Sequence, residues 1–153
     1  MIIALEKKHL TQLKTMLEGL DTFTSEETKS ALSMMDEYLA KEEDYLFYVF
    51  LENKKVVGFI CYGLASLSQN SYDLYWIAVA KDTQGSGIGT QLLEFMYKDI
   101  AKRKGHMVIA ETSSMPHYEA TRKFYDKKGY ILEARIKDYY KKGDDKLYYV
   151  KRF

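Results

Sequence analysis

Apolar residues recur along the first part of the chain with the period of a helix and then with that of strands. In residues 5–20 they fall three or four positions apart, the spacing of a helix that buries one face. Thr24 and Glu27 have the spacing of a capping box, so a second amphipathic helix is expected to begin there. Residues 45–52 and 56–64 are rich in aromatic and β-branched side chains. The short polar turn between them predicts a β-hairpin.

The middle of the chain has a strand pattern in residues 73–80. A helical pattern follows three glycines and is expected to stop at Gly105. Residues 107–112 are short and apolar enough for a buried strand. A strand, a helix and a strand within about 40 residues form a βαβ unit, so these two strands are expected to run parallel.

The last part of the chain predicts a helix and a hairpin. The helix is expected between Pro116, which suits a first helical turn, and Gly129, which suits the end. The alternation in residues 131–140 predicts a strand that buries one face through Leu132 and Ile136. A polar, glycine-containing turn then leads to a final strand that is rich in tyrosine.

This order of elements predicts an α+β fold. Its centre is expected to be a mixed, mostly antiparallel sheet with one parallel βαβ unit and with helices on both faces. No linker, repeat or break in composition divides the sequence, so residues 1–153 are expected to form a single domain. Apolar residues make up 46% of the chain, which is enough for a substantial core at this length.

Charge and cysteine content exclude several classes of protein. The 23 Lys and Arg nearly balance the 22 Asp and Glu, so no broad field is available for nucleic acid or an anionic membrane. The only cysteine is Cys61 and the three histidines are scattered, so neither a disulfide nor a metal site is expected. The N-terminus becomes charged too early for a signal peptide, and no apolar run approaches about 18 residues. We therefore expect a cytoplasmic protein.

Three glycines at alternate positions, Gly85, Gly87 and Gly89, separate the strand at 73–80 from the following helix. They allow a turn that only glycine can make, or they let the backbone approach a ligand closely. The free amides and the dipole of a helix N-terminus suit a pyrophosphate. Two familiar glycine motifs do not match at Thr90: a P-loop requires a lysine at this position, and a dinucleotide fingerprint requires a glycine.

The segment IAVAKDTQGSGIGTQLL, residues 77–93, resembles motif A of the GCN5-related N-acetyltransferases (GNAT family). That motif has the signature Q/R-x-x-G-x-G/A, which Gln84, Gly87 and Gly89 match here. The segment YEATRKFYDKKGYI, residues 118–131, resembles motif B of the same family. There an aromatic residue and a tyrosine end a helix, and a glycine and a second aromatic residue follow.

The resemblance implies a GNAT-like fold and the transfer of an acetyl group from acetyl-CoA directly to a primary amine, in a ternary complex and without a metal. A small-molecule amine is the expected acceptor, and a protein N-terminus or lysine side chain is the alternative. A homodimer is left open. Two further alternatives are a non-catalytic acyl-CoA-binding regulatory module and a nucleotide-binding redox domain.

The resemblance also assigns roles to residues. Tyr125 would return a proton to the leaving thiolate, since tyrosine is protonated at neutral pH. The backbone of Ile77 and Val79 would pair with the pantetheine arm, and the Ile77 amide is the better placed to polarise the thioester carbonyl. The loop that would hold the pyrophosphate comprises Gln84, Gly85, Ser86, Gly87, Ile88, Gly89 and Thr90.

No motif marks the base that must deprotonate the acceptor ammonium. Glu111 is the first candidate, because the C-terminal ends of strands in α/β sheets face ligand crevices. The alternative for Glu111, rated as equal, is an acid that is only solvated or ion-paired at the end of a strand. His117 and Asp73 are further candidates, and water is the remaining one.

Overall fold

A seven-stranded sheet forms the centre of the protein in a computed structural model that describes residues 1–153. The order of the strands across the sheet is β1-β2-β3-β4-β5-β7-β6. Their bounds are β1 Ile2–Ala4, β2 Leu46–Glu52, β3 Lys55–Leu64, β4 Ser71–Val79, β5 Met107–Ser113, β6 Ile131–Lys141 and β7 Asp144–Arg152. Four helices accompany them: α1 Leu10–Glu18, α2 Ser25–Leu39, α3 Ile88–Lys102 and α4 Glu119–Lys127. None of these helices has the length and apolar character needed to cross a membrane.

The pairing of the strands confirms the predicted α+β fold. Only β4 and β5 pair in parallel, and every other neighbouring pair is antiparallel. The helix between β4 and β5 is α3, so the predicted βαβ unit is present. Strand β1 was not predicted, because three residues are too few to show a period.

The helices lie on both faces of the sheet, as β3 shows. A side chain at Gly58 would meet Ile88 and Leu92 of α3 at 3.1 and 3.3 Å. The next residue, Phe59, stacks on Phe47, which in turn contacts Tyr38 of α2. Successive residues of a strand point to opposite faces. Therefore α2 and α3 cover opposite sides of the sheet.

Strands β4 and β5 separate halfway along β4. They pair only where Ser71–Leu74 lies beside Met107–Ala110, although β4 continues to Val79. The register between β3 and β4 also shifts at this level, so Tyr75 is an extra residue in β4. The far half of β4 is therefore paired to β3 but has an open edge toward β5.

Strand β6 differs from the sequence-based expectation. All of its residues are exposed, including Leu132 and Ile136 at 44% each, so the prediction of a half-buried strand is wrong. The strand lies at the edge of the sheet, and its register with β7 shifts twice. Alternation indicates that two faces differ in polarity, but it does not indicate whether another element covers the apolar face.

A substitution at Gly105, which follows α3, tests how tightly this helix packs on the sheet. A side chain there would lie 2.5 Å from Ile100 and 2.6 Å from Tyr72. Gly105→Ala should lower the free energy of unfolding by about 1–3 kcal/mol, the usual cost of overpacking. Gly19→Ala is the control, because its new methyl group meets nothing closer than 3.5 Å. Equal denaturant midpoints for the two variants would contradict this packing.

Candidate active site

The glycine segment forms a tight turn from β4 into α3. After Val79 the chain makes one turn of 3₁₀ helix, Lys81–Thr83, before the glycines begin. Gly85 and Gly87 have φ angles of +81° and +86°, which side-chain-bearing residues rarely adopt. No atom lies within 4 Å of the position that a Cβ atom would occupy at either residue. The turn therefore requires glycine at these two positions and leaves their surface accessible.

The N-terminus of α3 presents backbone amides without partners in the helix. The first helical hydrogen bond at this end is donated by Gln91 N to Gly87 O, at 3.0 Å, and no side chain caps the helix. The amides of residues 87–90 are thus available to a ligand, and the helix dipole adds positive potential. Lys128 Nζ donates to Thr90 Oγ1 at 2.6 Å and places a cation beside them. This arrangement suits a phosphate or pyrophosphate.

The open edge of β4 begins directly before this turn. Ala80 N donates to Val57 O of β3 at 2.8 Å. Backbone groups of successive residues in a strand point to alternate sides, so the amides of Ile77 and Val79 point away from β3 toward the open edge. The Val79 carbonyl accepts from Gln84 Nε2 at 3.3 Å, which ties the motif glutamine to the strand. A peptide-like ligand can pair with this edge.

The open edge and the glycine turn line one continuous cleft of about 590 Å³. Of the site residues predicted from the sequence, those that line it are Ile77, Val79, Gln84, Gly85, Gly87, Ile88, Gly89, Thr90, Glu111 and Tyr125. Ser86 does not line it, because its hydroxyl turns back and donates to Thr83 O at 2.5 Å. Residues that are distant in sequence therefore meet around a single volume.

Tyr125 lies in the cleft wall and is 5% exposed. Its ring packs between Tyr130 and Tyr149, with ring centroids 5.1 and 5.7 Å away. Burial raises the pKa of Tyr125 above the usual value near 10. Its hydroxyl consequently stays protonated through the neutral range, which is the state needed to donate a proton.

Glu111 lines the same cleft and forms an ion pair with Lys146 of β7 at 2.8 Å. Lys146 is nearly buried, and its ammonium lies 4.2 Å from the centre of the Tyr139 ring. Burial, followed by the negative charge of Glu111, raises the pKa of the neighbouring Asp73. The strand-end acid is thus ion-paired and at the same time faces the cleft.

The other sequence candidates lie elsewhere. His117 is exposed, stacks on Tyr118 and does not line the cleft. Asp73 does not line the cleft either. No group of three or more metal-ligating side chains is present.

Two cleft residues, Glu27 and Tyr118, were not predicted as site residues. Tyr118 donates its hydroxyl hydrogen to Glu27 Oε1, although 91 positions separate the two residues. Burial and this carboxylate raise the pKa of Tyr118. The one sequence signal at Glu27 was the capping box, which is present and accounts for the residue by itself. Nothing in the local sequence connects Glu27 to Tyr118.

Comparison with known proteins identifies the family and the fold. Residues 43–132 match the family model described as the acetyltransferase (GNAT) domain. A solved GNAT-family protein from Desulfovibrio desulfuricans is 34% identical and superposes with a TM-score of 0.94, covering 99% of this chain and 98% of that one. The chain belongs to the GNAT acetyltransferase family, as the two sequence motifs predicted.

Two further relatives extend the comparison. An uncharacterized N-acetyltransferase from Methanocaldococcus jannaschii is 30% identical over 109 residues, which cover 69% of this chain. The chain spans 65% of the length of that curated relative. An aminoglycoside 6'-N-acetyltransferase, solved with coenzyme A, shares the fold with a TM-score of 0.80 over 99% of this chain and 96% of its own. Its identity is 18%, so the fold alone is shared.

The conformation of Gly87 leads to a prediction about ligand binding. Gly87→Val would force a branched side chain to adopt a φ of +86° at the free amides, so coenzyme A affinity should fall roughly 10- to 100-fold. Gly143→Val is the control, because Gly143 has nearly the same φ, +85°, in the distant β6–β7 turn. Titration calorimetry with coenzyme A measures both. If Gly87→Val bound coenzyme A with unchanged affinity, Gly87 would serve only to form the turn.

Proposed function

We propose that residues 1–153 act as one N-acetyltransferase domain, which transfers the acetyl group of acetyl-CoA directly to the primary amine of a small molecule. The observation that carries this proposal is the open edge of β4. It ends at the free amides of α3, and Tyr125 lies in the wall of the same cleft. An anionic cofactor with a peptide-like arm fits this combination better than a nucleotide alone does.

The chain offers a separate feature to each part of acetyl-CoA. The free amides around Gly87 and the cation of Lys128 suit the pyrophosphate. The edge amides of Ile77 and Val79 suit the amide-containing arm. The Ile77 amide would then donate to the thioester carbonyl as negative charge develops on its oxygen, a contribution typically worth 10²–10³ in rate.

The transfer has a simple balance of bonds and protons. A neutral amine nitrogen attacks the carbonyl carbon, a C–N bond forms, and the C–S bond breaks as the intermediate collapses. The nitrogen, positively charged after the attack, loses a proton to solvent as the intermediate collapses. The sulfur leaves as a thiolate and takes a proton from the Tyr125 hydroxyl, and solvent returns one proton to Tyr125, so the protons balance. The acceptor arrives as an ammonium with a pKa near 10 and gives one proton to a base before the attack. No covalent enzyme intermediate is required.

Glu111 is our proposal for that base. It lines the cleft, and its ion pair with Lys146 holds the carboxylate in one orientation. Asp73 would be the next group to accept the proton, after Glu111. Its pKa is raised, so its ionised form is less favoured and it binds a proton more readily.

The hydrogen bond between Tyr118 and Glu27 favours a small acceptor over a protein. It joins α2 to the turn before α4, and both residues line the cleft. Because this contact joins two elements that line the cleft, we expect it to restrict the approach of a polypeptide more than that of a small amine. A protein N-terminus or a lysine side chain is therefore the second candidate.

Thiol release from acetyl-CoA tests the proposed function. The purified chain should release coenzyme A when small primary amines are added, and release should be slower with peptides that carry a free N-terminus. Tight binding of acetyl-CoA without release on any amine would instead support a regulatory acyl-CoA-binding module. Thermal stabilisation by NAD but not by coenzyme A would support a redox domain.

Tyr125→Phe tests the assignment of the proton donor. The ring and its packing remain, so the KM for acetyl-CoA should change little, while kcat should fall about 10²- to 10⁴-fold, as general acids usually contribute. Tyr97→Phe is the control, because it removes another phenol, one that donates to Tyr130 at 2.9 Å and does not line the cleft. If Tyr125→Phe kept its full kcat, Tyr125 would only pack the wall.

Glu111→Gln tests the base. At neutral pH kcat/KM for the amine should fall about 10²-fold, and the loss should shrink as the pH rises, because the free amine then becomes more abundant. Glu119→Gln is the control, since Glu119 is exposed and pairs with Lys123 on the surface of α4. Identical pH profiles for wild type and Glu111→Gln would assign deprotonation to water.

A further inference from the structure

Charged side chains are divided between the two sides of the cleft. Its only basic residues are Lys127 and Lys128 at the end of α4, and Lys128 contacts Thr90 beside the free amides. Its only acidic residues are Glu27 and Glu111. The side that suits the phosphates is thus positive, and the walls away from it carry the negative charges.

The two carboxylates are not equivalent. Glu111 is neutralised by Lys146 at 2.8 Å, whereas Glu27 forms no ion pair. Glu27 accepts from Thr24 N at 3.4 Å and from the Tyr118 hydroxyl, and both donors use Oε1. Its second oxygen, Oε2, has no hydrogen-bond partner. Glu27 is therefore a half-buried carboxylate in the cleft that lacks a counter-ion.

Aromatic rings line the same cleft as this carboxylate. Phe23 and Trp76 pack together with ring centroids 5.5 Å apart, and Tyr118 contacts Glu27 directly. The indole N–H of Trp76 points to Met34 Sδ at 3.1 Å, which holds the ring in place. Aromatic faces attract cations, and an unpaired carboxylate among them adds a full negative charge. A positively charged group is the ligand that these walls suit.

That positive charge is not the amine that reacts. The reacting nitrogen must be neutral, and an unpaired carboxylate beside it would hold it as an ammonium. Tyr118 precedes Tyr125 by seven residues along a helical segment, which places them roughly 10 Å apart along its axis. Glu27 is bound to Tyr118 and makes no hydrogen bond to Tyr125, so its contact is with the Tyr118 end of this segment.

We propose that Glu27 binds a second cationic group on the acceptor, so that the preferred substrates are small diamines or polyamines, one nitrogen of which is acetylated. This proposal rests on the proposed acetyltransferase function. It assigns Glu27 a role in substrate specificity, with Tyr118 and the aromatic walls positioning the carboxylate. The capping box survives in Glu27→Gln, since glutamine serves the same position.

The test compares matched pairs of amines that differ only in the second nitrogen: cadaverine with hexylamine, and putrescine with pentylamine. The wild type should prefer the better-fitting diamine roughly 10- to 100-fold in kcat/KM, as expected for a charged hydrogen bond. Glu27→Gln should remove this preference mainly through the KM for the diamine. Its rate with the monoamine should change less than about twofold. The wild-type preference should also weaken with added salt.

Glu26→Gln is the matched control, because Glu26 lies in the same turn of α2 but is exposed and pairs with Lys29 at 4.0 Å. It should keep the diamine preference. Equal use of diamines and monoamines by the wild type would overturn the proposal, as would an equal loss of both activities in Glu27→Gln. If no amine and no peptide caused the release of coenzyme A, the proposed function itself would be overturned, and this proposal with it.

Discussion

The separation of β4 from β5 is the constraint on which the rest of the site depends. Beyond Leu74 the backbone of β4 keeps its partner on one side only, so the amides of Ile77 and Val79 face open space. Unpaired backbone groups in a protein interior are costly, and the structure keeps them beside a cleft rather than in the core. The same separation leaves room for Glu111 and Tyr125 in the walls. A fully paired sheet would leave no edge for a ligand.

The sequence predicts those parts of this arrangement that depend on local rules. Gly85 and Gly87 occupy positions with positive φ, and this requirement is visible in the sequence as glycines that no ordinary helix start needs. The parallel βαβ unit follows from the order of elements. Tyr125 was identified only through the motif around it, because one tyrosine among 14 is not distinctive.

The parts that could not be predicted depend on contacts between distant segments. Glu27 completes its helix cap, and its contact with Tyr118, 91 positions away, forms only when the chain folds. The ion pair between Glu111 and Lys146 arises because β7 inserts beside β5 in the sheet. The exposure of Ile136 on β6 likewise depends on the absence of a covering helix, and periodicity carries no information about that.

The net charge of the chain illustrates the same limit. A value of +1 excludes a broad field, yet the cleft has its basic residues beside the glycine turn and its acidic residues on α2 and β5. In the proposed reaction acetyl-CoA is the anion and the amine acceptor is the cation, so this separation would orient the two substrates relative to each other. Because Lys146 pairs with Glu111 while Glu27 forms no ion pair, the proposed Glu27 site would bind one positive charge without trapping the nitrogen that must react.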